Sequence, residues 1–237
     1  MTKQVKSRQR VTDHGEVFTA EREVNAMLDL VKQETERIDS RFLEPACGDG
    51  NFLAEILRRK LAVVEAKYRK SSPDYEKYAI LAVTSIYGVD LLQDNVEDCR
   101  ERLFGIWDGA YTAHCKQDCR NEVRDAARFI LGRNILCGNA LTLKKVDANG
   151  QDMDEPIIFS EWTFTSEQSL KRSDYRLDVL MNENPDKNMY QSQMSLFAED
   201  AMGTDNWMSD PDDPQKSIPK PVKEFPPVYY WKVQCDE

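Results

Sequence analysis

Phe42-Leu43-Glu44-Pro45-Ala46-Cys47-Gly48-Asp49-Gly50-Asn51-Phe52-Leu53 is the stretch that decides the fold. An apolar start, two close glycines and then apolar residues at helical spacing predict a strand, a tight turn and the start of a helix. Glycine lets the backbone pass close to a ligand where a Cβ would collide. The first N–H groups of the following helix point to the same place. Such a unit is typical of domains that bind a nucleotide-like cofactor beyond the carboxyl end of the strand.

The residues around the turn argue against a dinucleotide. A GxGxxG fingerprint requires three glycines, and only Gly48 and Gly50 are present. Glu44 and Pro45 precede the turn, where a carboxylate repels a pyrophosphate but suits a cationic ligand group. This combination resembles the first motif of S-adenosylmethionine-dependent methyltransferases, in particular the adenine-N6 DNA methyltransferases of restriction-modification systems. The alternative is an ordinary tight turn in another α/β domain.

The resemblance implies a fold, a cofactor and a set of cofactor-binding residues. The fold is an α/β, Rossmann-like methyltransferase domain over residues 13–182, in which three strands of the usual seven-stranded sheet have no candidate in the sequence. The cofactor is S-adenosyl-L-methionine. The turn residues that the resemblance assigns to the cofactor are Glu44, Pro45, Cys47, Gly48, Gly50 and Asn51.

A second stretch, residues 15–19, leads into apolar residues at helical spacing over residues 24–31. By itself this pattern predicts an amphipathic helix with Thr19 as its N-cap. The sequence Gly-Glu-Val-Phe-Thr also resembles the leading cofactor motif of the same methyltransferases, which usually reads Phe-Thr-Pro where this chain has Phe-Thr-Ala. In that family the aromatic ring and the hydroxyl line the methionine end of the cofactor. The resemblance therefore gives this role to Phe18 and Thr19.

Residues 85–89 predict a buried strand that ends in Asp90, with a helix from Leu91 onward. A carboxylate at the tip of the second strand of a Rossmann-like fold hydrogen-bonds ribose hydroxyls. Tyr-Gly-Val-Asp also resembles the second motif of the family, which adds Asp90 and Leu91 to the cofactor site. The alternative role for Asp90 is to cap the helix that follows, and one carboxylate can serve both ends.

Residues 134–137 predict a further strand, followed by Gly138-Asn139-Ala140-Leu141. This resembles the third motif of the family, where an aspartate after the glycine accepts a bond from the adenine amino group of the cofactor. Asn139 accepts through its amide oxygen without charge assistance, so a weaker cofactor site is expected. The resemblance assigns Asn139 and Ala140 to that site. A plain turn at the end of a strand is the alternative.

The catalytic motif of the family, Asn/Asp-Pro-Pro-Tyr/Phe, follows the fourth strand. Residues 175–181 predict that strand, and only Asn184-Pro185 follows it, one residue late and without the second proline and the aromatic. In the family the amide and a main-chain carbonyl accept bonds from the target amino group, and the aromatic stacks on the flipped base. Asn184 and Pro185 are the predicted catalytic residues, in a motif that is degenerate or missing.

Charge divides the chain unevenly. Of the 237 residues, which carry a formal net charge of −10, residues 1–150 are neutral overall and residues 151–237 hold the whole excess of acid. An acidic C-terminal third cannot be the surface that holds DNA phosphates. Residues 1–12 predict a basic, solvated arm. Residues 183–237 predict an acidic, proline-containing tail, with a possible terminal strand between Phe225 and Val233.

Cysteine use and hydropathy point to a cytoplasmic protein. No apolar run approaches membrane-spanning length, and no apolar signal core follows the basic start. Six cysteines without a secretory signal predict reduced thiols. His114, Cys115 and Cys119 raise the alternative of zinc, but a second ligand pair is missing. We predict no metal, because Cys115 and Cys119 are spaced for packing on one helix turn.

The predicted function is methyl transfer from S-adenosyl-L-methionine to the N6 of DNA adenine, alone or as the methylase subunit of a restriction-modification-like system. Its chemistry is direct displacement at the sulfonium methyl. The expected partners are DNA and a specificity or catalytic subunit. The competing prediction is a catalytically degenerate module that binds the cofactor or a partner and transfers nothing.

Overall fold

The computed structural model describes Arg10, Thr12 and residues 19–181, 206–213 and 216–235. This part of the chain is a mixed α/β structure with one parallel sheet and several antiparallel strand pairs. Its helices are α1 (Glu21–Leu30), α2 (Lys32–Thr35), α3 (Asn51–Tyr68), α4 (Ser72–Thr84), α5 (Gln93–Cys115), α6 (Asn121–Asn134) and α7 (Leu177–Met181), with 3-10 turns at Lys116–Asp118 and Tyr230–Cys235. Its strands are β1 (Phe42–Glu44), β2 (Ile86–Asp90), β3 (Ile135–Cys137), β4 (Lys144–Val146), β5 (Asp152–Pro156), β6 (Ile158–Phe164), β7 (Ser169–Arg176), β8 (Trp207–Ser209), β9 (Ser217–Pro219), β10 (Lys223–Glu224) and β11 (Val228–Tyr229).

The parallel sheet has the order β1-β2-β3. Leu43 lies opposite Tyr87, and Val89 lies opposite Leu136. The crossover from β1 to β2 runs through α3 and α4, and that from β2 to β3 runs through α5 and α6. The strand–turn–helix unit predicted from residues 42–53 and the strands predicted before Asp90 and Gly138 are therefore confirmed.

The two faces of this sheet are covered differently. On one face α3 approaches so closely that a Cβ added to Gly88 would lie 2.9 Å from Cδ1 of Leu53. On the other face the hydroxyl of Tyr87 donates to the carbonyl of Ser160 at 3.1 Å, and its ring meets the ring of Phe159 edge to face. Helices thus cover one face of the sheet, and β6 crosses the other.

The main core lies among the long helices. Trp107 and Tyr111 of α5 are fully buried, and the indole N–H of Trp107 donates to the carbonyl of Ala79 in α4 at 3.1 Å. Full burial of a large apolar side chain contributes about 1.5–3 kcal/mol, so these residues hold α4 against α5. No helix in the described ranges is long and apolar enough to cross a membrane.

The predicted fourth parallel strand is wrong. β7 ends at Arg176 and runs antiparallel to β6, and residues 177–181 form the helical turn α7. Instead, β7 forms a local hairpin with β6. The N–H of Thr165 donates to the carbonyl of Ser169 at 2.9 Å and closes the connection between the two strands. Asp178 then accepts the N–H of Val179 at 3.0 Å, which satisfies a free donor of the short helix.

The C-terminal segment joins the same antiparallel sheet. β10 and β11 both pair with β7. The predicted terminal strand is confirmed by β11, although it continues as the 3-10 turn Tyr230–Cys235 rather than as a longer strand. Residues 207–219, expected to be loosely ordered, contain the antiparallel pair β8 and β9.

Candidate functional site

A cavity of about 840 Å³ opens at the carboxyl ends of β1, β2 and β3. Parallel strands bring their carboxyl ends to one edge, so residues far apart in sequence meet there. Ten residues that the sequence predicts as cofactor-binding line it: Thr19, Glu44, Pro45, Cys47, Gly48, Asn51, Asp90, Leu91, Asn139 and Ala140.

The glycine turn forms the floor of the cavity. Gly48 and Gly50 have positive φ angles of 53° and 86°. The N–H of Gly50 donates to the carbonyl of Cys47 at 2.8 Å, and a Cβ at residue 50 would lie 2.7 Å from Sγ of Cys99. Only glycine fits there without strain. Gly50 does not line the cavity. It shapes the turn and is the N-cap residue of α3.

Asp90 is the hub of the loop. One of its carboxylate oxygens accepts the N–H of Gly48 at 2.9 Å. The other accepts the N–H of Leu92 at 2.9 Å and the side-chain amide of Asn95 at 3.1 Å. An ionised carboxylate has about four acceptor positions, so these three bonds leave about one position on a residue that lines the cavity. Asp90 therefore positions the glycine turn in addition to any ligand contact.

Asn51 ties the leading stretch to the glycine turn. Its side-chain amide donates to the carbonyl of Thr19 at 3.2 Å, and its own oxygen accepts from Arg102 of α5 at 2.7 Å. The predicted N-cap role of Thr19 is wrong: Ala20 is the N-cap of α1 and no side chain caps it. Thr19 faces the cavity instead, since Asn51 holds its main chain there.

Glu44 lies at the end of β1 with its carboxylate half-buried. Burial raises the pKa of Glu44 above its ordinary value, and the N–H of Ala46 lowers it by less. Among the described residues, none forms an ion pair with Glu44. A partly desolvated carboxylate without a counter-charge attracts a cationic ligand group.

Asn139 occupies a turn stabilised by its own side chain. Its amide oxygen accepts the N–H of Leu141 at 3.0 Å, and its amide nitrogen donates to a carboxylate oxygen of Asp152 at 2.9 Å. Asp152 belongs to β5, which pairs with β4 directly after this turn. This bond explains why an asparagine suits position 139, because an aspartate there would face the carboxylate of Asp152.

The sequence did not single out several residues that also line the cavity. Phe52, Leu92 and Asn95 begin the helices after the first and second motifs, where their proximity to the motif was the only available signal. Asn95 is also contacted by Arg10 of the predicted basic arm, which does not itself line the cavity and whose guanidinium donates to Asp94 and Asn95. The remaining lining residues are Ala46, Gly138 and Leu141.

Some predicted residues cannot be placed in the cavity. Phe18, Asn184 and Pro185 lie outside the described residues. His114 pairs with Glu65 through Nδ1 at 2.9 Å and stacks on Tyr75. Within the described ranges no group of three or more metal-ligating side chains comes together.

Comparison of the chain with models of protein families, with curated proteins and with solved structures found no match. The functional proposal therefore depends on the cavity, its charges and the motifs that line it.

Proposed function

We propose that this chain binds S-adenosyl-L-methionine in the cavity at the strand ends and serves in methylation of DNA adenine at N6, alone or as a methylase subunit. One observation carries the proposal: three motifs that resemble those of the adenine methyltransferases, together with Thr19, converge on a single cavity. The sheet supports the corresponding Rossmann-like fold, since its order β3-β2-β1 matches the 3-2-1 half of a doubly wound sheet.

The cavity suits this cofactor in charge and in shape. The ammonium and sulfonium groups of the cofactor are cationic. Glu44 is a half-buried carboxylate without an ion-pair partner among the described residues. Gly48 and Gly50 keep side chains out of the space in front of α3, whose first N–H groups face the same region. Asp90 keeps about one acceptor position for a ribose hydroxyl, and Asn139 keeps a lone pair for the adenine amino group.

When bound, the cofactor supplies an electrophilic methyl group. The part of this chain is to bind and orient it, with Glu44 balancing positive charge and Asp90 holding the glycine turn. The target amino group needs acceptors that expose its lone pair, and the proton that it loses after transfer passes to water. Asn184 and Pro185 are the residues of this chain that resemble such acceptors.

Calorimetry with S-adenosyl-L-methionine tests the proposal. Glu44→Gln keeps the shape of the side chain and removes its charge, so we expect affinity to fall about tenfold, which corresponds to about 1.4 kcal/mol. Glu101→Gln, on the exposed face of α5, is the matched control and should bind like the wild type. Absence of binding by the wild type would contradict the proposed function.

The second candidate is a cofactor- or partner-binding module without transfer activity. The observation that favours it is the antiparallel β7 at the position predicted for the fourth parallel strand. Tritiated methyl transfer to mixed-sequence DNA, with and without the product of the adjacent gene, distinguishes the candidates: transfer only with that product supports a methylase subunit, and silence in both arms supports the binding module. We expect no useful transfer by the lone chain, because its acceptor motif is degenerate and its C-terminal third is acidic. Transfer by the lone chain that Asn184→Ala abolishes would instead establish a complete enzyme.

A further inference from the structure

A groove between α3 and α5 is a feature that the proposed function does not use. It has a volume of about 710 Å³ and is lined mainly by residues between Arg58 and Arg69 on one side and between Ile106 and Lys116 on the other. Both helices begin directly after the strand ends that form the ligand cavity. The groove lies along their C-terminal halves, so it is a separate site.

The floor of the groove is apolar and consists largely of small side chains. Ala62 of α3 lines it together with Ala110, Ala113 and Ile106 of α5. Because small side chains at a contact shorten the distance between helix axes, such a floor lets another helix approach closely. Ala62 and Ala113 are both exposed, so the groove is shallow. Small-molecule sites enclose most of their ligand, and a shallow, elongated groove suits a segment of a protein better.

The groove carries an excess of positive charge. Arg58, Arg69 and Lys116 line it, and Glu65 is the acid among the described residues that do so. The carboxylate of Glu65 is hydrogen-bonded to Nδ1 of His114 at 2.9 Å. Within the described ranges no carboxylate pairs with Arg69 or Lys116. Positive charge that the protein does not compensate favours an anionic partner.

Lys116 is held beside the groove in an unfavourable backbone conformation. It is the C-cap of α5 with φ 51° and ψ −108°, and its N–H donates to the carbonyl of Thr112. A residue with a Cβ rarely adopts this conformation. A favourable interaction of the lysine with the helix dipole accounts for its charge but does not require the strain. Strained residues cluster at functional sites, where they position a group that contacts a ligand.

We propose that the groove between α3 and α5 binds an acidic amphipathic helix of a partner protein. Arg58 and Arg69 are eleven residues apart, which is about 16 Å along a helix axis. Carboxylates three turns apart on a docked helix have the same separation, and the apolar face of that helix would lie on the floor between them. Arg58 is 3.6 Å from the carboxylate of Glu55, but an exposed pair of this kind is weak and leaves Arg58 available.

Two other anionic ligands fit the groove less well. A compact anion such as phosphate cannot contact cations about 16 Å apart. DNA carries phosphates along its whole length and is held by rows of cations, whereas the cations here lie near the two ends of an apolar floor. An amphipathic helix uses both the charges and the floor.

The experiment uses a fluorescent synthetic peptide as the probe. The peptide has about 18 residues, enough to form a helix, with leucine and alanine on one face and two glutamates eleven residues apart beside that face. Fluorescence anisotropy measures its binding to the wild type, to Arg69→Glu and to the matched control Lys67→Glu. Lys67 is exposed on α3 and does not line the groove. We expect at least tenfold weaker binding by Arg69→Glu and no change for Lys67→Glu.

Two further probes, each with one of the two glutamates replaced by lysine, test the charge pairing. One of them should bind Arg69→Glu more tightly than it binds the wild type, a gain that damage to the fold cannot produce. Equal weakening by Arg69→Glu and Lys67→Glu would show non-specific attraction and would overturn the proposal.

The proposal is also overturned if the first probe does not bind the wild type, as expected if another segment of this chain fills the groove. Duplex DNA that binds the wild type and Lys67→Glu but not Arg69→Glu would assign the groove to nucleic acid instead. The inference does not depend on the proposed function, because the groove and the ligand cavity share no lining residue among those described. Arg69→Glu should therefore bind S-adenosyl-L-methionine like the wild type in calorimetry, whatever the result with the peptide.

Discussion

Around Glu76, where α4, α5 and the C-terminal segment meet, a buried carboxylate accepts from three side chains. At the cavity, Glu44 accepts from the main chain of Ala46 and, within the described ranges, from no side chain. Both oxygens of Glu76 are occupied: the hydroxyls of Tyr111 and Tyr230 donate to them at 2.5 Å each, and the guanidinium of Arg120 donates to both. Glu76 is 4% exposed. Its charge is compensated entirely within the protein.

The antiparallel sheet contains a second carboxylate of the same kind. Asp174 accepts from Ser160 at 2.6 Å, from two nitrogens of Arg172 at 2.8 Å, and from Arg133 at 3.4 Å. These bonds join β6, β7 and α6. Buried hydrogen bonds of this kind rigidify a fold, and the bonds to Asp174 hold in place the hairpin that covers the second face of the parallel sheet.

The cavity region is the opposite case. Glu44 has no ion-pair partner among the described residues, and Asp90 keeps about one of its acceptor positions. A perturbed, undercompensated carboxylate in a cleft is typical of a functional site, whereas a saturated one is typical of structure. In this chain, acceptor capacity left unused by the described residues distinguishes the candidate binding carboxylates from the structural ones. Four changes test this distinction.

The largest effect is expected from Glu76→Ala. It leaves Arg120 without its charge partner and the buried Tyr111 hydroxyl without an acceptor, so we expect a loss of about 3–5 kcal/mol in the free energy of unfolding. Urea unfolding followed by tryptophan fluorescence measures it. Glu101→Ala, on exposed helix surface, should change stability by less than about 0.5 kcal/mol. A similar small change for Glu76→Ala would show that the network does not stabilise the fold.

Asp90→Ala should cost less stability, about 2–3 kcal/mol, since it removes three hydrogen bonds and leaves the N–H groups of Gly48 and Leu92 unpaired. Cofactor binding should be lost with the shape of the glycine turn. Asn95→Ala removes one of these bonds and should cost about 1 kcal/mol. The measurements are urea unfolding and calorimetry on the same samples. If Asp90→Ala abolishes binding without any loss of stability, Asp90 serves the ligand alone.

The third change is a change of pH, which should alter the affinity for the cofactor through the protonation of Glu44. Because burial raises the pKa of Glu44 above 4.5, its charged form is disfavoured in the empty site and favoured by a cationic ligand. Affinity is therefore full above the raised pKa and falls as pH drops through it, by up to tenfold per pH unit. The stability of the chain without ligand depends on pH in the opposite direction. The contribution of Glu44 to the free energy of unfolding is present at low pH and decreases as pH rises through the raised pKa.

Calorimetry between pH 5 and pH 8 measures the effect on affinity. The pH-dependent part should be absent in Glu44→Gln, which has no titrating group at this position. An unchanged pH dependence in Glu44→Gln would assign the titration to another group and would remove Glu44 from the cation site.

The cavity was largely predictable from the sequence because its residues belong to local strand–turn–helix units. The acid, the glycines and Asp90 each stand next to a strand end, and strand ends of a parallel sheet meet. The antiparallel part was not predictable in this way. β10 and β11 pair with β7 from about 50 and about 60 residues away, respectively, and Glu76 contacts Tyr230 across 154 residues. No periodicity in the sequence encodes such pairings.

Asn139 shows the same limit at a single residue. From sequence alone, Asn139→Asp should tighten cofactor binding, since a carboxylate accepts more strongly from an adenine amino group than an amide does. In the structure the amide nitrogen of Asn139 donates to Asp152 at 2.9 Å. An aspartate would replace that bond with repulsion between two carboxylates and would loosen the turn. This repulsion could not be predicted from the sequence, because Asp152 reaches the turn only once β4 and β5 have paired.

The smallest effect on cofactor affinity is therefore expected at Asn139, and a second substitution should reverse its sign. Asn139→Asp alone should weaken cofactor binding by up to about 1 kcal/mol, reduced by solvent because Asp152 is exposed. In Asn139→Asp combined with Asp152→Asn, the donor and acceptor exchange places and the turn keeps its bond. The double variant then presents a charged acceptor to the cofactor and should bind more tightly than the wild type, by about 1 kcal/mol.

Calorimetry on the wild type, both single variants and the double variant gives the coupling between the two positions. Tighter binding by Asn139→Asp alone would mean that Asp152 does not restrain residue 139. No effect in any variant would mean that residue 139 only shapes the turn and that the adenine lies elsewhere in the cavity.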